Sequence, residues 1–119
     1  MNESILKLRF IQDTVPVRLG NIAVHLNRIN SWLENPDNGN LLYSMIKETR
    51  LFIEWTTPDM EAEQATQLNH LERYLARCLA DWDKIWNDTE QKNKLSEEVS
   101  NWSEKVLQIS GLEQKVLES

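Results

Sequence analysis

Leu68-Asn69-His70-Leu71-Glu72-Arg73-Tyr74-Leu75-Ala76-Arg77-Cys78-Leu79-Ala80-Asp81-Trp82-Asp83-Lys84-Ile85 is the stretch that decides the fold. Its apolar residues Leu68, Leu71, Leu75, Cys78, Trp82 and Ile85 fall in steps of three and four. That spacing returns to one face of a helix with 3.6 residues per turn. Two further segments follow the same rule: Leu19, Ile22, Leu26, Ile29, Leu33 and Leu95, Val99, Trp102, Val106, Ile109. The chain is therefore expected to be all-α, an up-down antiparallel bundle of about four helices in a single domain spanning residues 1–119. A chain of this length buries roughly two-thirds of its unfolded surface, enough for a core without metal or disulfide.

The breaks between helices are also written in the sequence. Asn35-Pro36-Asp37-Asn38-Gly39-Asn40 is made entirely of turn formers. The helix after it, about Leu41 to Trp55, has apolar positions over roughly 220° of its circumference, so it is expected to be the most buried. Thr57 is expected to cap the next helix, with Pro58 in its first turn, and that helix to run to Trp86 or Asn87. The polar run from Asn87 to Lys94 reads as a turn or as continuing helix, with Asp88 or Ser96 as the next cap. Gly111 reads as a helix stop. Leu112, Val116 and Leu117 then make a short amphipathic piece. The first segment, Asn2 to Glu34, keeps its phase (Ile5, Leu8, Gln12, Val15, Leu19) across Pro16. It is expected to be one helix kinked at Pro16. The alternative is a short helix ending near Asp13 and a second one capped by Thr14.

The charge balance restricts the function. The net charge is −6, and the largest basic cluster is Lys92-Asn93-Lys94, too small a footprint for nucleic acid. No window is apolar enough to span a membrane. Glu3, Lys7 and Arg9 leave no room for the apolar region of a signal peptide. The lone Cys78 forms no intrachain disulfide and suits a reducing compartment as a small core hydrophobe. A cytoplasmic location is expected. No cofactor is expected: neither His25 nor His70 is preceded by the Glu-x-x spacing of a di-iron bundle, and no phosphate loop or nucleophile elbow occurs.

Two constellations carry the functional expectations. Leu6, Phe10, Val17 and Val24 fall within about 40° of one another, roughly opposite the Leu19–Leu33 seam. A second apolar stripe implies a second contact, most simply another copy of the chain; rotation at Pro16 would instead fold Leu6 and Phe10 into the core. Trp32 lies off its seam and joins the stripe as an interface candidate, because tryptophan is enriched at binding hot spots. Among the other tryptophans, Trp82 and Trp102 lie in seams and read as core; Trp86, one turn beyond Trp82 and near a helix end, reads like Trp32 either as core or as part of the contact surface. The second constellation is Arg18 with His25, within about 20° on one helix face. This Arg-to-His gap is similar to the motif of HEPN-type helical ribonucleases and implies, as the enzyme alternative, RNA cleavage by those two residues. A further alternative is an apolar ligand held between helices.

Val15-Pro16-Val17-Arg18-Leu19-Gly20-Asn21, Phe52-Ile53-Glu54-Trp55-Thr56-Thr57-Pro58 and Trp82-Asp83-Lys84-Ile85-Trp86-Asn87-Asp88 together resemble small all-helical proteins of cyanobacteria. The resemblance implies a helical fold and carries no activity. The main expectation is a non-enzymatic bundle acting by protein–protein association, as a homodimer or with another protein.

Overall fold

The secondary structure follows the 3.6-residue period wherever a regular element forms. A computed structural model describes residues 3–111, and within them the regular elements are helical, with no strand. They are α1 (Glu3–Phe10), α2 (Val15–Trp32), α3 (Gly39–Thr56), α4 (Ala62–Ala80), α5 (Trp82–Trp86) and α6 (Thr89–Ser110). Single 3₁₀ turns, Pro36–Asn38 and Thr57–Asp59, stand before and after α3. The terminal Leu112–Leu117 piece expected from the sequence lies outside the described residues.

The first segment is two helices and not one kinked helix. Pro16 has no N–H to give, and its ring collides with the carbonyl four residues back, so a helix cannot run through it without cost. In the first turn of a helix that cost vanishes. Accordingly α1 ends at Phe10, and Thr14 becomes the N-cap of α2, its hydroxyl accepting from the Val17 N–H at 3.5 Å. The break also frees α1 to choose its own rotation. Leu6 and Phe10 turn inward, while Ile5 and Leu8, expected in the seam, face outward. Phe10 decides this: its ring stacks on Phe52 at 4.3 Å between centroids, nearly parallel, with Trp55 tilted against both.

Two other boundaries shift for similar reasons. Thr57-Pro58-Asp59 closes a 3₁₀ turn, with the Met60 N–H on the Thr57 carbonyl, and Met60 is extended. Helix α4 therefore starts at Ala62 and is not capped by Thr57. The helix expected to run through Trp86 steps at Asp81 and restarts as α5. Asp88 caps α6, accepting from the Glu90 and Gln91 N–H groups at 2.9 and 3.4 Å, so the polar run 89–94 is the opening of that helix. Gly111 takes the left-handed conformation, φ 75°, that ends it.

Helix α2 is the hub. It packs most extensively on α6 and also on α3; α3 packs in turn on α4. The α2–α6 pair is antiparallel, as two cross-links show: Ser103 donates to the Ala23 carbonyl at 3.0 Å, and Ser96 donates to the Asn30 side chain. Leu19, Ile22, Leu26, Ile29, Leu42, Ile46, Ile53, Leu68, Leu71, Leu75, Leu95 and Val99 fill the core. Helix α3 buries Leu42, Ile46, Thr49, Phe52, Ile53 and Thr56, as many residues as α2 and more than the other helices, while Leu41 stays at the surface.

Candidate functional site

The surface of α1 follows from its rotation. With Leu6 and Phe10 inward, 100° per residue places Leu8 at the crest of the opposite face. Leu8 is 60 % exposed, and Ile5 and Ile11 flank it. Lys7 and Arg9 lie about 100° to either side of the crest, so an apolar ridge is bordered by a cation on each slope. On α2, Val17 and Val24 are 42 % and 46 % exposed, two turns apart on one face. The proposed stripe is thus divided: Leu6 and Phe10 belong to the core, Val17 and Val24 to the surface. Trp32, 39 % exposed, lies at the far end of α2, about 22 Å from Val17 along the helix. Residues 1–33 carry four cations and two anions within a chain of net charge −6, one of the cations being the buried Arg18.

A trough of about 830 Å³ opens between α4–α5 and α6. It exists because α4 and α6 meet over only a short stretch, α4 leaning on α3 and α5 on α6. The floor is Tyr74, Cys78, Ile85 and Leu95. Three cations, Arg77, Lys84 and Lys94, and four anions, Asp81, Asp88, Glu97 and Glu98, stand on its walls. Among the described residues no ion pair crosses it: Lys94 reaches only Glu90, one turn back on its own helix. At the floor, Tyr74 and Cys78 lie one helical turn apart on α4. Burial, ahead of the neighbouring charges, pushes the Tyr74 hydroxyl well above the ordinary phenol range and raises the Cys78 thiol. Cys78 is 5 % exposed and packs in the core.

The Arg18–His25 pair is occupied differently from what its spacing suggested. Arg18 is 7 % exposed. Its Nε donates to the Asp13 carbonyl at 2.9 Å, and one terminal nitrogen to the Ile11 carbonyl at 3.3 Å. The other donates to the Trp55 carbonyl at 3.3 Å and to Asp59 Oδ2 at 2.8 Å. Four of the five guanidinium N–H groups are thereby taken up in tying the α1–α2 linker to the end of α3. His25 has its Nδ1 3.0 Å from the Asn21 carbonyl, its ring edge on Phe52, and its Nε2 3.6 Å from Glu48. Glu48 thus faces a histidine across the α2–α3 seam.

The tryptophans serve mainly as packing. Trp82 is buried, its indole N–H donating to the Gly39 carbonyl at 3.1 Å, and Trp86 stacks on it at 5.5 Å with Lys92 above. Trp102 is partly buried under Lys105. Neither the trough nor the α1 ridge was visible in the sequence. The ridge required knowing that α1 rotates independently, and the trough that α4 and α6 diverge. No family model, curated protein or solved structure matches this chain.

Proposed function

We propose that this chain is a non-enzymatic, cytoplasmic helical protein that works by protein–protein association, as a homodimer. In this reading α2, α3, α4 and α6 form the up-down antiparallel bundle and α1 is an appendage on it. One observation carries the proposal: five of the eight large apolar side chains left exposed among the described residues lie between Ile5 and Val24. Single exposed hydrophobes are ordinary on any surface, whereas a concentration of them in one region marks a contact. The contact comprises Ile5, Leu8, Ile11, Val17 and Val24. Leu6 and Phe10 support it from beneath, and Trp32 is a separate and smaller exposed feature.

The test is solution mass by light scattering over a concentration series. The wild-type chain is expected to reach twice the monomer mass, and Leu8→Asp with Val24→Asp to remain monomeric with an unchanged helical spectrum. A wild-type mass that stays monomeric at high micromolar concentration removes the proposal. The nuclease reading is weaker, because Arg18 has four internal acceptors and little surface. The apolar-ligand reading is weaker because charged side chains form the walls of the trough.

A further inference from the structure

We infer that a second copy of this chain covers the open end of the seam between α2 and α3, the two seams facing each other antiparallel about a two-fold axis. The inference rests on the association reading and specifies its geometry. The seam is a ladder of three rungs. Arg18 of α2 meets Trp55 of α3, a guanidinium nitrogen donating to the Trp55 carbonyl at 3.3 Å. His25 meets Glu48, Nε2 to carboxylate oxygen, at 3.6 Å. From the first rung to the second the chain counts up seven residues on α2 and down seven on α3. Seven residues are two turns, and they return within about 20° to the same face. One further step of seven brings Trp32 beside Leu41.

The rungs differ in what covers them. Helix α1 and its linker lie over the first: Phe10 packs on Phe52 and Trp55, and the Ile11 and Asp13 carbonyls accept from Arg18. At the middle rung the His25 and Glu48 side chains are 19 % and 39 % exposed. At the third, Trp32 is 39 % and Leu41 47 % exposed. One end of this face is therefore raised by the thickness of a helix, about 10 Å, with Leu8 at the crest, and the other end, about 21 Å along the axis, is bare and apolar. A two-fold axis at the middle rung exchanges the two ends. It lays the α1 crest of each copy on Trp32 and Leu41 of the other, and the contact closes because both halves belong to one face of one helix pair.

Area and charge both fit a second copy. Val17 and Val24 each precede a rung residue of α2 and flank the seam. Of the eight large apolar side chains left exposed among the described residues, all but Tyr43, which packs toward Trp82, then enter the contact. At exposures of 38–60 % those seven side chains present on the order of 500 Å² per copy, which is the apolar part of the roughly 800 Å² that each partner gives to a standard interface. Lys7 and Arg9, both exposed, border the crest. The bare end that receives it is acidic: from Ile29 to Ile46 the charged residues are Glu34 and Asp37, both exposed and neither in an ion pair among the described residues. Glu3 lies about 140° from the crest, and Arg28, one turn before Trp32, is the cation nearest the bare end.

The experiment traps the contact in the full chain. Leu8→Cys and Leu41→Cys are made separately, at positions whose side chains are exposed, while the native Cys78 is buried. Mixed and oxidised, the two variants are expected to give a covalent dimer on a non-reducing gel, and each alone to stay uncross-linked, because like positions sit at opposite ends of the contact. Trp32→Ala, checked for folding by far-ultraviolet circular dichroism, is expected to weaken association about tenfold or more in sedimentation velocity.

Two results overturn this geometry while leaving the association reading intact, given a dimeric wild type. One is a mixture that cross-links no better than either cysteine variant alone. The other is a folded Trp32→Ala chain that associates as tightly as wild type. A monomeric wild type removes the association reading and this inference with it.

Discussion

Replacing Arg18 by alanine separates a structural role for this residue from a catalytic one. The guanidinium holds three backbone carbonyls and one carboxylate. The Asp59 carboxylate is half-exposed, so the ion pair contributes at most about 1 kcal/mol after solvent screening. The Ile11 and Asp13 carbonyls belong to exposed linker residues; water can replace the lost donor there, and each bond contributes about 0.5 kcal/mol. The Trp55 carbonyl sits in the last turn of α3, where it has no helical partner, and its loss costs about 1 kcal/mol. The total is about 3 kcal/mol. A small domain has a urea slope of about 1.5–2 kcal/mol per molar, so the midpoint should fall by roughly 1.5–2 M. Arg18→Lys should recover less than half, because an ammonium cannot span the fork of acceptors. Urea unfolding followed by circular dichroism and tryptophan fluorescence measures both. A midpoint for Arg18→Ala within about 0.3 M of wild type would refute the clamp. Ribonuclease activity in the wild type that disappears in a fully stable Arg18→Ala would establish the enzyme reading in its place.

Two further outcomes follow from the packing. Phe10→Ala is expected to cost about 3 kcal/mol, because a buried ring stacked at 4.3 Å leaves a cavity. Leu8→Ala on the same helix should lie within about 0.5 kcal/mol of wild type at concentrations too low for association; the opposite order in denaturant midpoints there would mean that α1 faces the other way. Stability should also fall in alkali. Tyr74 and Cys78 have raised proton affinities when folded. The unfolded chain therefore releases their protons first and binds fewer at high pH, and stability is lost as pH climbs past about 9 and then about 10. Comparing urea midpoints near neutral pH and at about pH 10.5, the loss should be smaller in Tyr74→Phe than in wild type; equal losses would show that Tyr74 is not the source.

How far the fold was legible depended on whether a signal was local or relational. The seams of α2, α4 and α6, the 35–40 turn, the Asp88 cap and the Gly111 stop each rest on residues whose chemistry acts within one or two turns, and they can be read without knowing any neighbour. The α1 phase could not. A continuous apolar period across Pro16 looks like one helix, and only the pairing of Phe10 with Phe52, 42 positions later in the sequence, selects the other face. The surroundings of Arg18 were hidden for the same reason. Its spacing from His25 is a local fact, but its acceptors at Trp55 and Asp59 come from a distant segment.

The trough shows how such relations generate a site that no motif encodes. Four helices of nearly equal length would close on one another if α4 ran straight into a turn and α6 returned beside it. Here the chain steps at Asp81, and five residues, Trp82–Trp86, form a separate helix that packs on α6 while α4 stays on α3. The stacked indoles fix that step. Trp82 is hydrogen-bonded to Gly39 at the start of α3, and Trp86 lies so close to Gly39 that a Cβ there would stand 2.8 Å from its indole nitrogen. Tryptophan at 82 and 86 and glycine at 39 thus act together as a wedge that holds the α4–α5 corner in place. The space left between α4 and α6 is floored by the buried Cys78, Ile85 and Leu95 and the partly exposed Tyr74. The tryptophans at 82 and 86, read from the sequence as core filling or as a binding surface, thus act in packing at that corner.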